Sequence, residues 1–425
     1  MRPNPSPQSC PVSLVLIMDR RTFLSSTTAL ALGSALTGCQ VASQSSFRIR
    51  LLRGSVPALL TKEFRKRLPQ ENSINLDVRP EAQLQDLFNL LQRWKRQATG
   101  EIPTPKPIVP LPLPWIGPSP NQQAANVVSL GNDWLSIAIR QKLIQPIGVD
   151  SWQGSAPEAW AAWNNLPRIF QDLVRRNDEG FNAGNGQIWG IPYRWGSLAI
   201  VYRKDLLEQK GMAPPSDWAD LWRSEFQGRL SLPDQPREVI GLVLKKLGQS
   251  CNPNDLQKLS NLASELRSLQ SNVKFYSSKH YLQALILGDT WVAVGSSSEI
   301  LTQLRRNPNL AAVFPPSGTL LWADLWVQPT PTPPVTTHSN LDRLIAQWTT
   351  LGLQPQFAPQ FTLISQGTSP SLVTLKPDTL SADLQRNTLL LPDLDRFNQS
   401  EFLQPLSPAM AEQYRQLWES IRKAP

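Results

Sequence analysis

The segment from Gly186 to Gly248 constrains the fold more than any other part of the chain. It closes with a strand, a short polar turn and a helix. Leu230 and Leu232 alternate with polar neighbours, Pro233 stops the strand, and Asp234 or Gln235 can cap a helix that opens at Pro236. Val239, Ile240, Val243, Leu244 and Leu247 then recur on one helical face. Such a unit puts Glu238 in the first helical turn, at the mouth of a βα connection. A carboxylate there can simply complement the helix dipole. It can also line a ligand site, because open α/β sheets bind solutes beyond the carboxyl ends of their strands.

The same alternation runs through the chain. Phe47–Leu52, Ile74–Val78 and Asn126–Leu130 read as strands, separated by helices at residues 57–68 and 81–94. Asp133 and Trp134 open a helix running through Leu143. Gly190–Trp195 and Ser197–Tyr202 read as two successive strands, with a second lobe beginning between them. Leu256–Leu269, Lys279–Leu287, Leu341–Leu351 and Pro408–Lys423 read as helices, and Val273–Tyr276, Trp291–Gly295 and Leu320–Val327 as strands. The βαβα order predicts an α/β fold with mainly parallel sheets flanked by helices, and the length predicts two lobes. Residues 99–124 and the PTPTPPVTT stretch are proline-rich and expected as extended surface insertions.

Processing precedes folding at the N-terminus. Arg20, Arg21, Thr22, Phe23 and Leu24 form a twin-arginine pattern, an apolar run spans Thr28 to Leu36, and Leu36-Thr37-Gly38-Cys39 is a lipobox. The run is short of the roughly 20 apolar residues a spanning helix needs. Residues 1–38 are therefore expected to be a signal peptide, with Met18 a plausible start. Cys39 is the expected lipid attachment site, and residues 39–46 a tether to the outer face of the cytoplasmic membrane. General secretory export stays open beside the twin-arginine route. Cys10 lies in the leader and Cys251 stands alone, so no disulfide framework is available.

Removing Arg2, Arg20 and Arg21 with Asp19 takes the formal charge from +9 to +7. The basic residues are scattered, which argues against nucleic acid as a partner. His280 and His338 are the only histidines, and neither belongs to a metal or triad pattern. No Gly-rich phosphate loop accompanies them, so no enzyme, metal or cofactor is expected. The fifteen tryptophans suit core packing and can also sandwich small organic ligands.

IWGIPYRWGSLAIVYRKD, SDWADLWRSEFQGRLSLPDQPREVIGLVLKKLG, LLWADLWVQP and VVSLGNDWLSIAIRQKLIQPIG resemble the periplasmic solute-binding proteins of polyamine (spermidine/putrescine) ABC transporters. The resemblance extends with gaps over residues 47–425. It implies a monomeric, two-lobed periplasmic-binding-protein fold whose lobes close on a small amine and deliver it to permease subunits in the membrane. Crossovers are implied near Trp195-Gly196, Leu321-Trp322 and Lys376. One lobe is then 47–195 plus 322–376, and the other 196–321 plus 377–425.

The resemblance also implies site residues. Glu238 and Asp324 fall on carboxylates that contact amines, and Trp322 on the tryptophan beside the second acid. Trp322 and Asp324 are two apart on a strand and so share a face, although packing plus a salt bridge would explain that pair equally well. Other positions depart from the pattern. An aromatic box is replaced by Leu52-Arg53-Gly54-Ser55, a tyrosine by Asn132 or Asp133, an aromatic after WVAV by Gly295 and three serines, an acid by Gln235, and a tyrosine by Gly367-Thr368. Asp133, Gln235, Ser55 and Gln404 are retained as candidate contacts, with Asp133 equally able to cap its helix. Two alternatives follow from the rebuilt pocket. One is a different solute, such as an amino acid whose carboxylate meets Arg53; the other is an envelope scaffold or sensor that has lost transport.

Overall fold

Two strands run side by side through the middle of the protein, and everything else is hung from them. The computed structural model describes residues 46–68, 74–101, 124–330 and 338–423. The expected signal peptide, Cys39 and its tether, and the proline-rich residues 102–123 and 331–337, lie outside the described residues.

Apart from the two-residue strand Ile144–Gln145, which pairs with Gln328 and Pro329, the strands of the main sheet are β1 (Ser46–Leu52), β2 (Asn75–Glu81), β3 (Val127–Gly131), β4 (Ile191–Arg203), β5 (Leu230–Leu232), β6 (Val273–Tyr276), β7 (Val292–Ser296), β8 (Leu310–Val313), β9 (Leu320–Pro329) and β10 (Glu401–Phe402). Their order is β2–β1–β3–β9–β4–β7–β5–β6, with β8 beside β4 and β10 beside β9. The outer groups β2–β1–β3 and β7–β5–β6 are parallel. The central pair β9–β4 is antiparallel, and each strand joins its outer group in antiparallel fashion. Helices Ala58–Lys66 and Leu84–Ala98 supply the crossovers of the first parallel group, as the alternation predicts.

One reading from the sequence is corrected. Gly190–Trp195 and Ser197–Tyr202 are not two strands; they form one strand of 13 residues. It pairs with β9 through Trp195–Ala323, Gly196–Trp322 and Ser197–Leu321, then with β7 from Leu198–Ser296 onward. Gly196 makes the continuity possible. The Trp322 ring lies where its side chain would be, so the backbone passes beneath the indole without a break.

The apolar core divides where β4 changes partner. Trp195, Leu321, Ala323 and Leu325 belong to a cluster built on β1, β3 and their helices. Leu198 and Ile200 face a second cluster with Leu230, Val292 and Met410, whereas Ala199 and Val201 face a third with Ala293 and Leu310. Both faces of this part of β4 are therefore covered, which is why SLAIV reads as a continuous apolar run rather than an alternation. Cys251 is fully buried in the second cluster, beside the Glu401 carboxylate. Lys245 donates to that carboxylate and to the Gln399 carbonyl, pinning the chain around β10 to helix Pro236–Lys246.

Two helix expectations also shift. Asn132–Trp134 is a 3-10 turn, and the helix that follows ends at Arg140 rather than Leu143. Lys142 takes a left-handed conformation there, and Leu143 N–H closes onto Ala138 O. Helix Leu262–Gln270 starts six residues later than read, because Leu256 N–H donates instead to Gln413 Oε1 and the intervening residues run as turns.

Substituting Gly196→Ala tests the crossing. Its Cβ would stand 2.4 Å from Trp322 Cζ2 and 2.5 Å from Ser297 Oγ. Overpacking of this kind costs about 1–3 kcal/mol, so the denaturant midpoint should fall with an unchanged slope. An unaltered midpoint would show that the strands can part at this point without strain.

Candidate functional site

The seam between the apolar clusters is where β4 and β9 expose polar side chains to one another. Arg194 and Asp324 stand opposite each other in the antiparallel register. Arg194 Nε donates to Asp324 Oδ2 at 2.8 Å, its Nη2 lies 2.6 Å from the same oxygen as an ion pair, and Nη1 donates to the Ser365 carbonyl at 3.0 Å. Trp322, two residues before Asp324, places its ring 5.3 Å from the Arg194 guanidinium carbon. Its indole N–H donates to the Ser197 carbonyl. Asp324 is 2% and Arg194 6% exposed, so this is a buried ion pair stacked on an aromatic face. Burial pushes the Asp324 carboxyl up, and the Arg194 contact only partly offsets that push.

Asp133 sits on the 3-10 turn after β3. Its neighbour Asn132 is buried and accepts from the Ala323 N–H at 2.8 Å, which locks the turn against β9. Burial raises the Asp133 carboxyl to about 6, opposed by backbone N–H groups and reinforced by the nearby Asp324 charge. The Asp133 residue is nonetheless exposed, so the push comes from protein packed around its carboxyl rather than from a sealed core. Across the seam, Glu238 occupies the first turn of helix Pro236–Lys246 and is half-buried. Burial raises its carboxyl to about 7, with Asp133 and Glu299 pushing the same way. Glu299, in the first turn of helix Ser297–Leu304, accepts from Tyr281 Oη at 2.5 Å. Four carboxylates thus follow one another as electrostatic neighbours: Asp324, Asp133, Glu238 and Glu299. Among the described residues, only the first has a cation of the protein against it.

The structure brings Asp133, Glu238, Trp322 and Asp324 to this seam. Asp324 is not among the charges that shift Glu238, whereas Asp133 and Glu299 are. Gln235 is exposed at the N-cap of the Glu238 helix, and its side chain makes no capping bond. Ser55 is fully buried and accepts from Tyr193 Oη, which also pairs with Ser129. Gln404 ties the two sides together instead. Its Oε1 accepts from Asn182 and Arg176, and its carbonyl from Arg237 beside Glu238.

Residues 123–400 match the family described as bacterial extracellular solute-binding protein. The chain belongs to that family. This solute-binding protein is 26% identical over 254 residues to the spermidine/putrescine-binding periplasmic protein of Escherichia coli, an overlap covering 59% of this chain and 68% of the relative. It is 28% identical over 141 residues to a putrescine/cadaverine-binding protein of Pseudomonas aeruginosa, 32% of this chain and 39% of the relative. Among solved structures, a spermidine/putrescine ABC transporter substrate-binding protein from Streptococcus pneumoniae superposes with a TM-score of 0.67 at 21% identity, covering 89% of this chain and 98% of that one. A lipoprotein of Treponema pallidum gives 0.59 at 17%, covering 89% and 99%. The two-lobed fold is therefore that of this solute-binding protein as well.

Three members of the seam were not singled out from the sequence: Arg194, Tyr281 and Glu299. Arg194 carries no local signal, because its partner Asp324 is 130 residues away. Tyr281 has one. A Cβ on Gly295 would stand 2.1 Å from its ring, so the glycine that replaces an expected aromatic marks where another aromatic packs.

The raised carboxyls predict the pH dependence of cation binding at this seam. Below its raised value each group is protonated, and an arriving cation must displace that proton. Affinity should therefore be level above about pH 8 and fall roughly tenfold or more towards pH 5, with proton release during binding between pH 6 and 7. Asp324 with Arg194, Tyr281 and Glu299 are the other ionisable groups facing the pair. Titration calorimetry in buffers of different ionisation heat measures the released protons; none released would refute the assignment.

Proposed function

We propose that this protein is the extracytoplasmic solute-binding component of an ABC importer, capturing a polyamine or related small amine between two lobes. The observation that carries this reading is the line Asp324, Asp133, Glu238 and Glu299, drawn from both sides of the seam and holding a single guanidinium. Carboxylates beside an aromatic face are what a chain of ammonium groups and methylenes requires. The names of the Escherichia coli and Pseudomonas aeruginosa relatives support the same solute class. Binding rather than turnover is the proposed task.

The proposed lobes are residues 47–195 with 322–376, and 196–321 with 377–425. Trp195 packs in the first core and Leu198 in the second, which supports the first of these boundaries; Leu320 packs in the second core and Leu321 already in the first, so the return crossing falls one residue earlier than proposed. Cys39, lipidated after removal of residues 1–38, is the proposed anchor to the outer face of the cytoplasmic membrane, next to the permease. Among the described residues no helix is long and apolar enough to cross a membrane.

Two measurements test this. Putrescine or spermidine at 100 times its dissociation constant should stabilise the purified mature protein by about 2.7 kcal/mol, read as a rise in Tm. No rise at millimolar amine would exclude a polyamine, and a rise with amino acids alone would redirect the reading to a zwitterion. Separately, Cys39→Ala should move the protein from the membrane fraction to the soluble one. Retention on membranes by that variant would exclude a lipid anchor at this cysteine.

A further inference from the structure

Arg194 does more than neutralise a buried acid. Its guanidinium lies between a carboxylate and an indole face, with both contacts to Asp324 made at Oδ2 and a third bond to the Ser365 carbonyl. A carboxylate edge plus an aromatic face is how proteins hold an organic cation. Here the cation belongs to the chain itself. The arrangement is also built to keep it there. A side chain on Gly367 would put its Cβ 2.4 Å from Arg194 Cγ and 2.6 Å from Cδ, so the arginine stem occupies room that only glycine leaves. Swinging the guanidinium away would strand Asp324, 2% exposed, without a partner.

We propose that Arg194 is a resident cation filling one end of the solute site, so that the protein selects a short diamine over a longer triamine. This rests on the amine reading above. The pair Arg194–Asp324 is neutral as a unit, and the negative charge left over lies at Asp133, Glu238 and Glu299. A solute with its ammonium groups close together is satisfied wholly within that end. A further aminopropyl arm reaching towards Trp322 meets a like charge already stacked there, and a carboxylate whose inner oxygen is taken.

The test compares putrescine with spermidine by calorimetry on the mature protein and on Arg194→Gln. In the unaltered protein putrescine should bind about tenfold or more tightly than spermidine, and equal affinities would overturn the proposal. Arg194→Gln should shift preference towards spermidine by about tenfold or more, since a charged hydrogen bond to the freed Asp324 becomes available. An unchanged ratio overturns the proposal while amine binding itself stands. If neither protein binds an amine, the functional reading falls and this one with it. If only the variant binds, the natural protein selects no amine, and the proposal is overturned together with the amine reading. Should Arg194→Gln fail to fold, Arg194→Lys keeps a cation against Asp324 and Trp322. It should keep the preference for putrescine, and a shift towards spermidine in that variant would overturn the proposal.

Discussion

The antiparallel contact between β4 and β9 is the constraint on which the remaining structure depends. Three consecutive registers do different work. Trp195 opposite Ala323 closes the first core, Gly196 opposite Trp322 lets an indole lie on bare backbone, and Arg194 opposite Asp324 buries an ion pair. A slip of one residue would turn Asp324 into a core and Leu325 into the seam. The pair contributes little net stability by itself, since desolvation offsets most of the attraction, but it makes wrong registers costly. The fold and the placement of the seam carboxylates therefore share one determinant.

From that ribbon the two sides build the seam by the same device. On one side a tight turn after β3 carries Asp133; on the other, first helical turns carry Glu238 and Glu299. Each acid sits at the start of a helical segment, where backbone N–H groups favour negative charge. Burial raises Asp133 and Glu238 towards neutrality, with Asp324 adding to the push on the first and Asp133 and Glu299 to the push on the second, until a cation arrives. A plain helix-dipole role and a solute-contacting role for Glu238 are thus compatible.

Much of the fold was legible in the sequence because it is local. Strand–turn–helix units such as Leu230 to Lys246 declare themselves through periodicity and proline placement, and the parallel groups follow from their order. The continuity of β4 was not legible, because a glycine flanked by two apolar runs reads as a boundary until the ring resting on it is seen. The site divides in the same way. Glu238, Trp322 and Asp324 are candidates by likeness of motif, and the structure sets all three along the seam. Ser55 was retained by position alone and lies inside the first core, its hydroxyl held by Tyr193. Gln404 was retained loosely and is a structural tie between Asn182 and Arg237. Arg194 and Glu299 were missed because each matters only through a partner distant in sequence. Gly295 and Gly367 looked like losses from an aromatic cage, whereas each is the space taken by a side chain from elsewhere, Tyr281 in one case and Arg194 in the other.

Cys251 has a consequence of a different kind. It is the single cysteine after residue 39, it is fully buried, and burial beside Glu401 pushes its thiol up to about 12. A thiol so far from forming thiolate neither exchanges with disulfides nor needs a partner. The body of the protein therefore reaches the same covalent state in a reducing cytosol as in an oxidising envelope. Redox poise drops out of its folding, so the same fold is reached on either side of a membrane.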